Sequence, residues 1–293
     1  MTDAVTLALS GLGIGSVYAL VALGFSFIVK TTNSFNFAQG TLVPIGSLLS
    51  YTAFMVWGLP AGVTVLFVVI VVGILGGVIE RLAVFPLVRR GDPPLLWLMS
   101  TLGVSIILTG VATRIWGSVP LGVEPYFGEK VVRLGDAYVA SAYVIAFVAA
   151  VVVAASLWII EGRTRWGRLM RAVADNRDAV RLAGVNVLKY SLLSYAVGGA
   201  LAGFAGFVIA PVTYATTSGG FTFTILGFAA MAVGGFGNHW GALIGGWIVG
   251  LVQSVGGLLI GLQYQSLLVF AVLLVVLLLR PAGLFATRSA RVV

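Results

Sequence analysis

The 90 residues at positions 190–279 contain no Asp, Glu, Lys or Arg. A segment folded in water needs charge on its surface, and a typical soluble domain is roughly 25% charged. The rest of the chain follows the same pattern, since 60% of its 293 residues are hydrophobic and only 9% are charged. The solvent that fits such a composition is a bilayer. An ordinary soluble enzyme is excluded, and with no cysteine in the chain so are disulfides, thiolate metal sites and cysteine nucleophiles.

A membrane helix takes about 20 mostly apolar residues. Cutting the sequence at its charges and turn formers gives candidate spans at positions 7–29, 42–57, 61–79, 95–116, 138–160, 191–212, 221–236, 242–262 and 266–279. Two of them, 42–57 and 221–236, have 16 residues each and reach only about 24 Å at 1.5 Å per residue, so they read as broken or re-entrant. The predicted fold class is all-α, a polytopic membrane bundle of about 8–10 elements. The 39 glycines lie inside the apolar runs, where small residues let membrane helices approach closely.

Basic residues gather on the cytoplasmic side of a membrane. Positions 161–189 hold Arg163, Arg165, Arg168, Arg171, Arg177, Arg181 and Lys189 against Glu161, Asp175 and Asp178, and the C-terminal tail adds Arg280, Arg288 and Arg291 with no acid. The loop at 117–137 is acidic on balance. This predicts a cytoplasmic C-terminus, cytoplasmic loops around Arg81, Arg89, Arg90 and 161–189, and an external N-terminus. Residues 1–10 carry Asp3 and no base, so they lack the basic region of a signal peptide and read as the start of a first retained helix.

Catalytic chemistry is missing. His239 is the only histidine, which excludes a histidine-rich metal site; its ordinary reading is an interfacial or backbone-bonded imidazole beside Trp240. The lysines are Lys30, Lys130 and Lys189, none in a Gly-x-x-x-x-Gly-Lys-Ser/Thr setting, so the chain cannot hydrolyse ATP through a P-loop. Ion-coupled carriers usually place an ionisable group mid-membrane, and none is apparent: Glu80 and Glu161 read as helix-end residues, and Arg114 as one that snorkels. Either a solute flows down its gradient or another subunit supplies the work.

Three stretches stand out. Positions 165–184 read as one amphipathic helix, with Trp166, Leu169, Met170, Val173, Val180 and Ala183 on one face, an i,i+4 pair of Arg171 and Asp175, a stop at Gly184, and Asn186 as cap of the next helix. Two readings stand for it: a cationic helix lying on anionic lipid, or a docking helix whose interspersed Asp175 and Asp178 suit a protein partner. Positions 30–40 place Asn33, Asn36 and Gln39 between apolar runs, where their amides either cap a broken helix or line a polar path; the Ser/Thr/Gly cluster at 213–224 poses the same choice. Positions 227–246 hold glycines at 234, 235, 237, 241 and 245, among others. Gly234, Gly235, Gly237, Gly241 and Gly245 fit close helix packing around a reversal.

In order, these stretches resemble the permease subunits of ABC importers for branched-chain amino acids, a family related to ribose-type permeases. The resemblance rests on Gly11-x-x-x-Gly15-Ser-x-Tyr-Ala-Leu-x-Ala-Leu-Gly24, on Asn36-Phe-Ala-Gln-Gly40, on Gly167-x-x-x-Arg171-Ala-x-x-Asp175 with Gly184-Val-Asn186, on the glycine-rich stretch to Gly246, and on Arg280-Pro-Ala-Gly-Leu-Phe285. Gln39 stands where the family usually has histidine. The resemblance implies one permease domain over 1–293 with a cytoplasmic coupling segment at about 161–189, in which Arg168, Arg171, Asp175, Arg177, Asp178 and Arg181 meet an ATPase. It implies a substrate pathway at Asn33, Asn36, Phe37 and Gln39, and no cofactor or metal on this chain, ATP being used by partner subunits. The implied partners are a second permease subunit, identical or not, two ATP-binding cassette subunits, an external solute-binding protein and membrane lipid, with no nucleic acid, in a bacterial cytoplasmic membrane. The rival class is a passive channel or secondary carrier for a small polar solute.

Overall fold

Membrane segments have no water to receive their N–H and C=O groups and must close their hydrogen bonds internally; this chain does so almost wholly with helices. The computed structural model describes residues 2–32, 34–128, 130–134 and 137–285, without the side chains of residues 2–4, 134, 137, 177, 178 and 262. Helix α1 (Thr2–Thr32) is followed by a tight turn and by α2 (Leu42–Tyr51), which ends in a π turn at Thr52–Val56. Then come α3 (Ala61–Ile79), α4 (Phe85–Arg90) and α5 (Pro94–Trp116), a hairpin of β1 (Val131–Leu134) and β2 (Ala137–Ala140), and α6 (Ser141–Arg163). The chain continues through α7 (Arg165–Asp175), α8 (Arg177–Leu182), α9 (Val187–Thr213), α10 (Gly220–Gly234), α11 (His239–Leu259) and α12 (Gln265–Leu279).

Among the described residues, 6 helices are long and apolar enough to cross a membrane, and shorter apolar helices run at Leu42–Val56, Gly220–Gly234 and Gln265–Leu279. The polytopic helical fold class therefore holds, and three expectations need correction. The span at 61–79 does not stop at Glu80: a π turn at Glu80–Val84 carries it into α4, giving one helix from Ala61 to Arg90 whose far end holds the arginines expected in a loop. The span expected from 138 begins as a strand, and its helix starts only at Ser141. The amphipathic stretch at 165–184 is two helices, because Asn176 is extended (φ −155°, ψ 99°) and its Oδ1 accepts the Ala179 N–H, starting α8 anew.

Helix α1 is the most enclosed span, about 46 Å long, and packs against α6, α9, α10 and α11. Its most extensive contact is with α11. A Cβ on Gly15 would lie 2.6 Å from the Gly246 carbonyl oxygen, and one on Gly250 would overlap the Gly11 oxygen and the Gly15 backbone. Helix α9 packs in the same manner on α3, with Gly199 against Val72 and Gly76.

These contacts form a pattern. The segments α1–α2–α3 and α9–α10–α11 each consist of a long helix, a short one and another long one. α1 pairs with α11 as α9 pairs with α3; α10 crosses α1 at Gly227 and Val21 as α2 crosses α9 at Gly46 and Gly203. Since α1 ends at the face where α9 begins, the two halves run in opposite senses, the inverted arrangement that recurs in membrane transport proteins.

The two ends of the bundle differ. One carries the end of α1, α4, α7, α8 and the start of α9 and α11; the other carries the β-hairpin and the connection from α9 to α10, where Leu121 and Ala215 exchange backbone hydrogen bonds of 2.9 Å. Gly250→Val should destabilise the protein in detergent by about 1–3 kcal/mol, because no flexible side chain can yield there. Gly103→Ala, where a Cβ meets nothing within 4 Å, should leave the melting temperature unchanged or raise it.

Candidate translocation and coupling sites

After α1 the chain turns back inside the bundle. The Asn36 Oδ1 accepts the Ala38 N–H at 3.1 Å, and the N–H groups of Gln39, Thr41, Leu42 and Val43 bond to carbonyls three or four residues back, so α2 starts from a satisfied turn. Asn36 and Gln39 are fully buried. The Gln39 Nε2 donates to the Gly198 carbonyl of α9 at 2.7 Å, and the amide lies between Gly24 of α1 and Gly198. Its Oε1 and the Asn36 Nδ2 have no hydrogen-bond partner among the described residues. Gly198 is well inside the 27-residue α9, so this turn lies at mid-bundle depth. Asn33 lies outside the described residues.

Helix α10 starts at the same depth. Gly219, at φ +89°, turns the chain into it, and Gly220 packs against Thr41 so closely that a Cβ would sit 2.9 Å from the Thr41 Cα. The Thr224 hydroxyl bridges the two elements by donating toward the Phe37 carbonyl (3.2 Å) and that of Gly220 (3.0 Å). Half-buried Phe37 lines a cavity of about 150 Å³ with Phe25, Phe35, Thr224, Ile225, Phe228, Phe270 and Leu273.

The least enclosed long span, α5, meets this turn in a regular way. The Phe37 N–H donates to the Thr101 hydroxyl (3.1 Å), the Thr41 and Ser105 hydroxyls are 2.6 Å apart, Leu48 shares a small apolar cluster with Ala112, and the Trp116 Nε1–H donates to the Thr52 hydroxyl (2.8 Å). Each pair is separated by 64 positions, so α2 and α5 run parallel and in register, joined by hydroxyls.

At the basic end, the Thr164 hydroxyl accepts the Gly167 N–H (3.0 Å) and starts α7. Gly167, Met170 and Val173 are buried against the bundle, with Gly167 so close to the Glu161 backbone that no side chain fits. Trp166 lies across Tyr190 with ring centroids 5.7 Å apart. Arg168, Asp175 and Arg181 are exposed; Arg171 is also exposed, and its Nη2 donates to the Glu161 carbonyl. The side chains of Arg177 and Asp178 lie outside the described residues. A cleft of about 640 Å³ between α4 and the start of α9 is lined by Phe85, Val88, Arg89, Arg181, Val185, Asn186, Val187 and Leu188.

The glycines of 234–245 divide between two roles. Gly234, Gly241 and Gly245 form the contact of α10 with α11, whereas Gly235 (φ +106°) and Gly237 (φ +76°) turn the chain between them. The Asn238 Oδ1 caps α11 through the Gly241 N–H (3.2 Å), and its Nδ2 donates to the Phe285 carbonyl (2.7 Å), tying down the C-terminal segment.

Two features escaped the sequence. Leu182 is 90% exposed at the end of α8, a position where an apolar side chain gains nothing without a partner. And Glu161, with the lone histidine, is not a solvated helix-end group. It is buried, with the Lys30 Nζ 2.7 Å from Oε2 and the His239 Nε2 3.0 Å from Oε1. The histidine contact lies off the ring N–H axis, a close approach and not a formed hydrogen bond. His239 also stacks on Phe27 at 5.8 Å. Its place is therefore in the protein, not at an interface beside Trp240. Glu80 is buried as well, accepting from the Ser191 hydroxyl at 2.7 Å.

A double-mutant cycle on the hydroxyl seam, Thr41→Val with Ser105→Ala, should give a coupling energy of about 0.6 kcal/mol by reversible unfolding in detergent. Thr113→Val, on the exposed end of α5 and bonded only within that helix, should show none with Thr41→Val.

Comparison with known proteins agrees with this architecture. The model of the family described as branched-chain amino acid transport system / permease component matches residues 7–277. The high-affinity branched-chain amino acid transport system permease protein BraD of Pseudomonas aeruginosa is 30% identical over 291 residues, covering 94% of this chain and 93% of the relative. The corresponding LivH of Escherichia coli is 30% identical with the same coverage. The ribose import permease protein RbsC of Haemophilus influenzae is more distant, at 27% identity over 90% of this chain and 81% of its own length. No solved structure matches significantly. The chain is thus a multi-pass membrane protein, and it belongs to the family of permease components of branched-chain amino acid transport systems of the ABC type.

Proposed function

We propose that this chain forms, as a single domain, one of two permease subunits, identical or not, of an ATP-driven importer in a bacterial cytoplasmic membrane. Its partners are two ATP-binding cassette subunits and an external binding protein that delivers the solute, branched-chain or related amino acids. The observation that carries the reading is the basic end of the bundle. There α7 and α8 present Arg168, Arg171, Asp175 and Arg181 outward, with Leu182 bare at the tip, a combination that suits a protein groove better than lipid. Arg177 and Asp178 belong to the same segment.

That end faces the cytoplasm by the distribution of bases, since Arg81, Arg89, Arg90, Arg163, Arg165, Arg181, Lys189 and Arg280 all belong to it. The N-terminus is then external and the C-terminus cytoplasmic. The solute path borders the turn at 36–41, which continues from Asn33: Phe37 presents an apolar face to it, while Asn36 and Gln39 set the shape of the turn. Closure of the ATPases pushes on α7 and α8, and the helix ends packed on α7 transmit the movement as alternating access.

Uptake of radiolabelled leucine into vesicles should require ATP, the ATPase subunits and the binding protein together. Transport by this chain alone, without ATP, would sink the proposal in favour of a channel or carrier. Arg181→Glu with Leu182→Asp should abolish co-purification of the ATPase while the permease still inserts into the membrane; unchanged co-purification would refute the docking role of α8.

A further inference from the structure

Glu161, at the end of α6, is held by residues of three other helices. Its side chain, 10% exposed, takes Lys30 from the last turn of α1 on one oxygen and approaches His239, at the first position of α11, with the other. Its carbonyl receives the Arg171 guanidinium from α7, and Gly167 of α7 packs against its backbone. A carboxylate withdrawn from water in this way needs its partners, because an unpaired buried charge is strongly unfavourable. The three helix ends are therefore bound to one another by a contact that tolerates little separation.

We infer that Glu161 is a positioning residue for energy coupling: the Lys30–Glu161–His239 cluster makes α1, α6 and α11 follow α7 as one unit. The inference rests on the importer reading and deepens it. It also explains why the attachment of α7 matters for the path. Lys30 lies six residues before Asn36, and the turn at 36–41 that meets α5 and α10 follows directly from α1. On the other side, α11 continues from Gly234 and Gly235, which hold the end of α10 and, through the Gly234 carbonyl, the Phe285 N–H of the C-terminal segment. A push on α7 reaches both edges of the path through one carboxylate. Arg171 adds to this attachment by gripping the Glu161 backbone, so the same residue that faces the partner also holds the relay.

The test uses the whole assembly, permease pair, ATPases and binding protein, reconstituted in lipid vesicles. Glu161→Gln and Lys30→Met should leave the subunits co-purifying and ATP hydrolysis running, while leucine uptake per ATP falls about tenfold. The double variant should be no worse than Glu161→Gln alone, and Glu161→Asp should recover part of the loss. Because the chain has no cysteine, spin labels at Ala174→Cys on α7 and Trp240→Cys on α11 report the motion directly. Their separation should be the same in nucleotide-free and ATP-trapped assemblies of the parent protein, and should differ between the two states once Glu161→Gln is added.

Uptake and hydrolysis falling together with assembly or melting temperature would make the cluster a structural staple and overturn the inference. So would a label separation that changes equally with and without Glu161→Gln. If the parent assembly takes up leucine without ATP, it is the importer reading that fails.

Discussion

Two helices begin in the middle of this protein, and a helix start leaves backbone N–H groups that hydrocarbon cannot satisfy. Most of the fold can be understood as the shielding of those two starts. The turn at 36–41 closes the first with bonds among its own residues and with the Asn36 side chain, and Gly219 begins the second with its carbonyl accepting the Phe223 N–H. Placing the starts against each other removes both from lipid. That contact demands glycine at 40 and 220, where the backbones leave no room for a Cβ, and it demands α1, α9 and α5 around it to exclude lipid on the remaining sides.

The same economy governs the charged end. Close packing in a membrane gains no hydrophobic drive between helices, so α1 and α11 are held by glycine contacts along their length and by an ionic cluster at one tip. Lys30, Glu161 and His239 come from helices far apart in sequence and meet at one tip of the bundle. Glycine contacts fix how close the helices lie; the ionic cluster fixes how far their ends can part.

The sequence carried the spans well because their cause is local: apolar runs bounded by charge or turn formers, as in α5 from Pro94 to Trp116 and α9 from Val187 to Thr213. The short length of α2 and α10 was legible for the same reason. The extension of α3 through Glu80 to Arg90 was not, since charge in a sequence marks where the apolar run ends and not where the helix does. The break at Asn176 was hidden by a good amphipathic period on both sides, although an asparagine before Arg177 and Asp178 is a sound cap signal. The relation between Lys30 and Glu161, 131 residues apart, had no local trace at all. Nor did the burial of Gln39, whose amide in sequence fits a helix cap and a path lining alike and in space fills the gap between two glycines.

The meeting of α2 and α10 also sets the electrical character of the membrane centre. Each helix start carries about half a positive charge from its aligned peptide dipoles, and here two such ends face one another at the same depth with no basic side chain beside them. Whatever polarity the midpoint has comes from the backbone, because the turn at 36–41 and the start of α10 contain no charged residue. That polarity belongs to the fold itself, and no single side-chain substitution removes it.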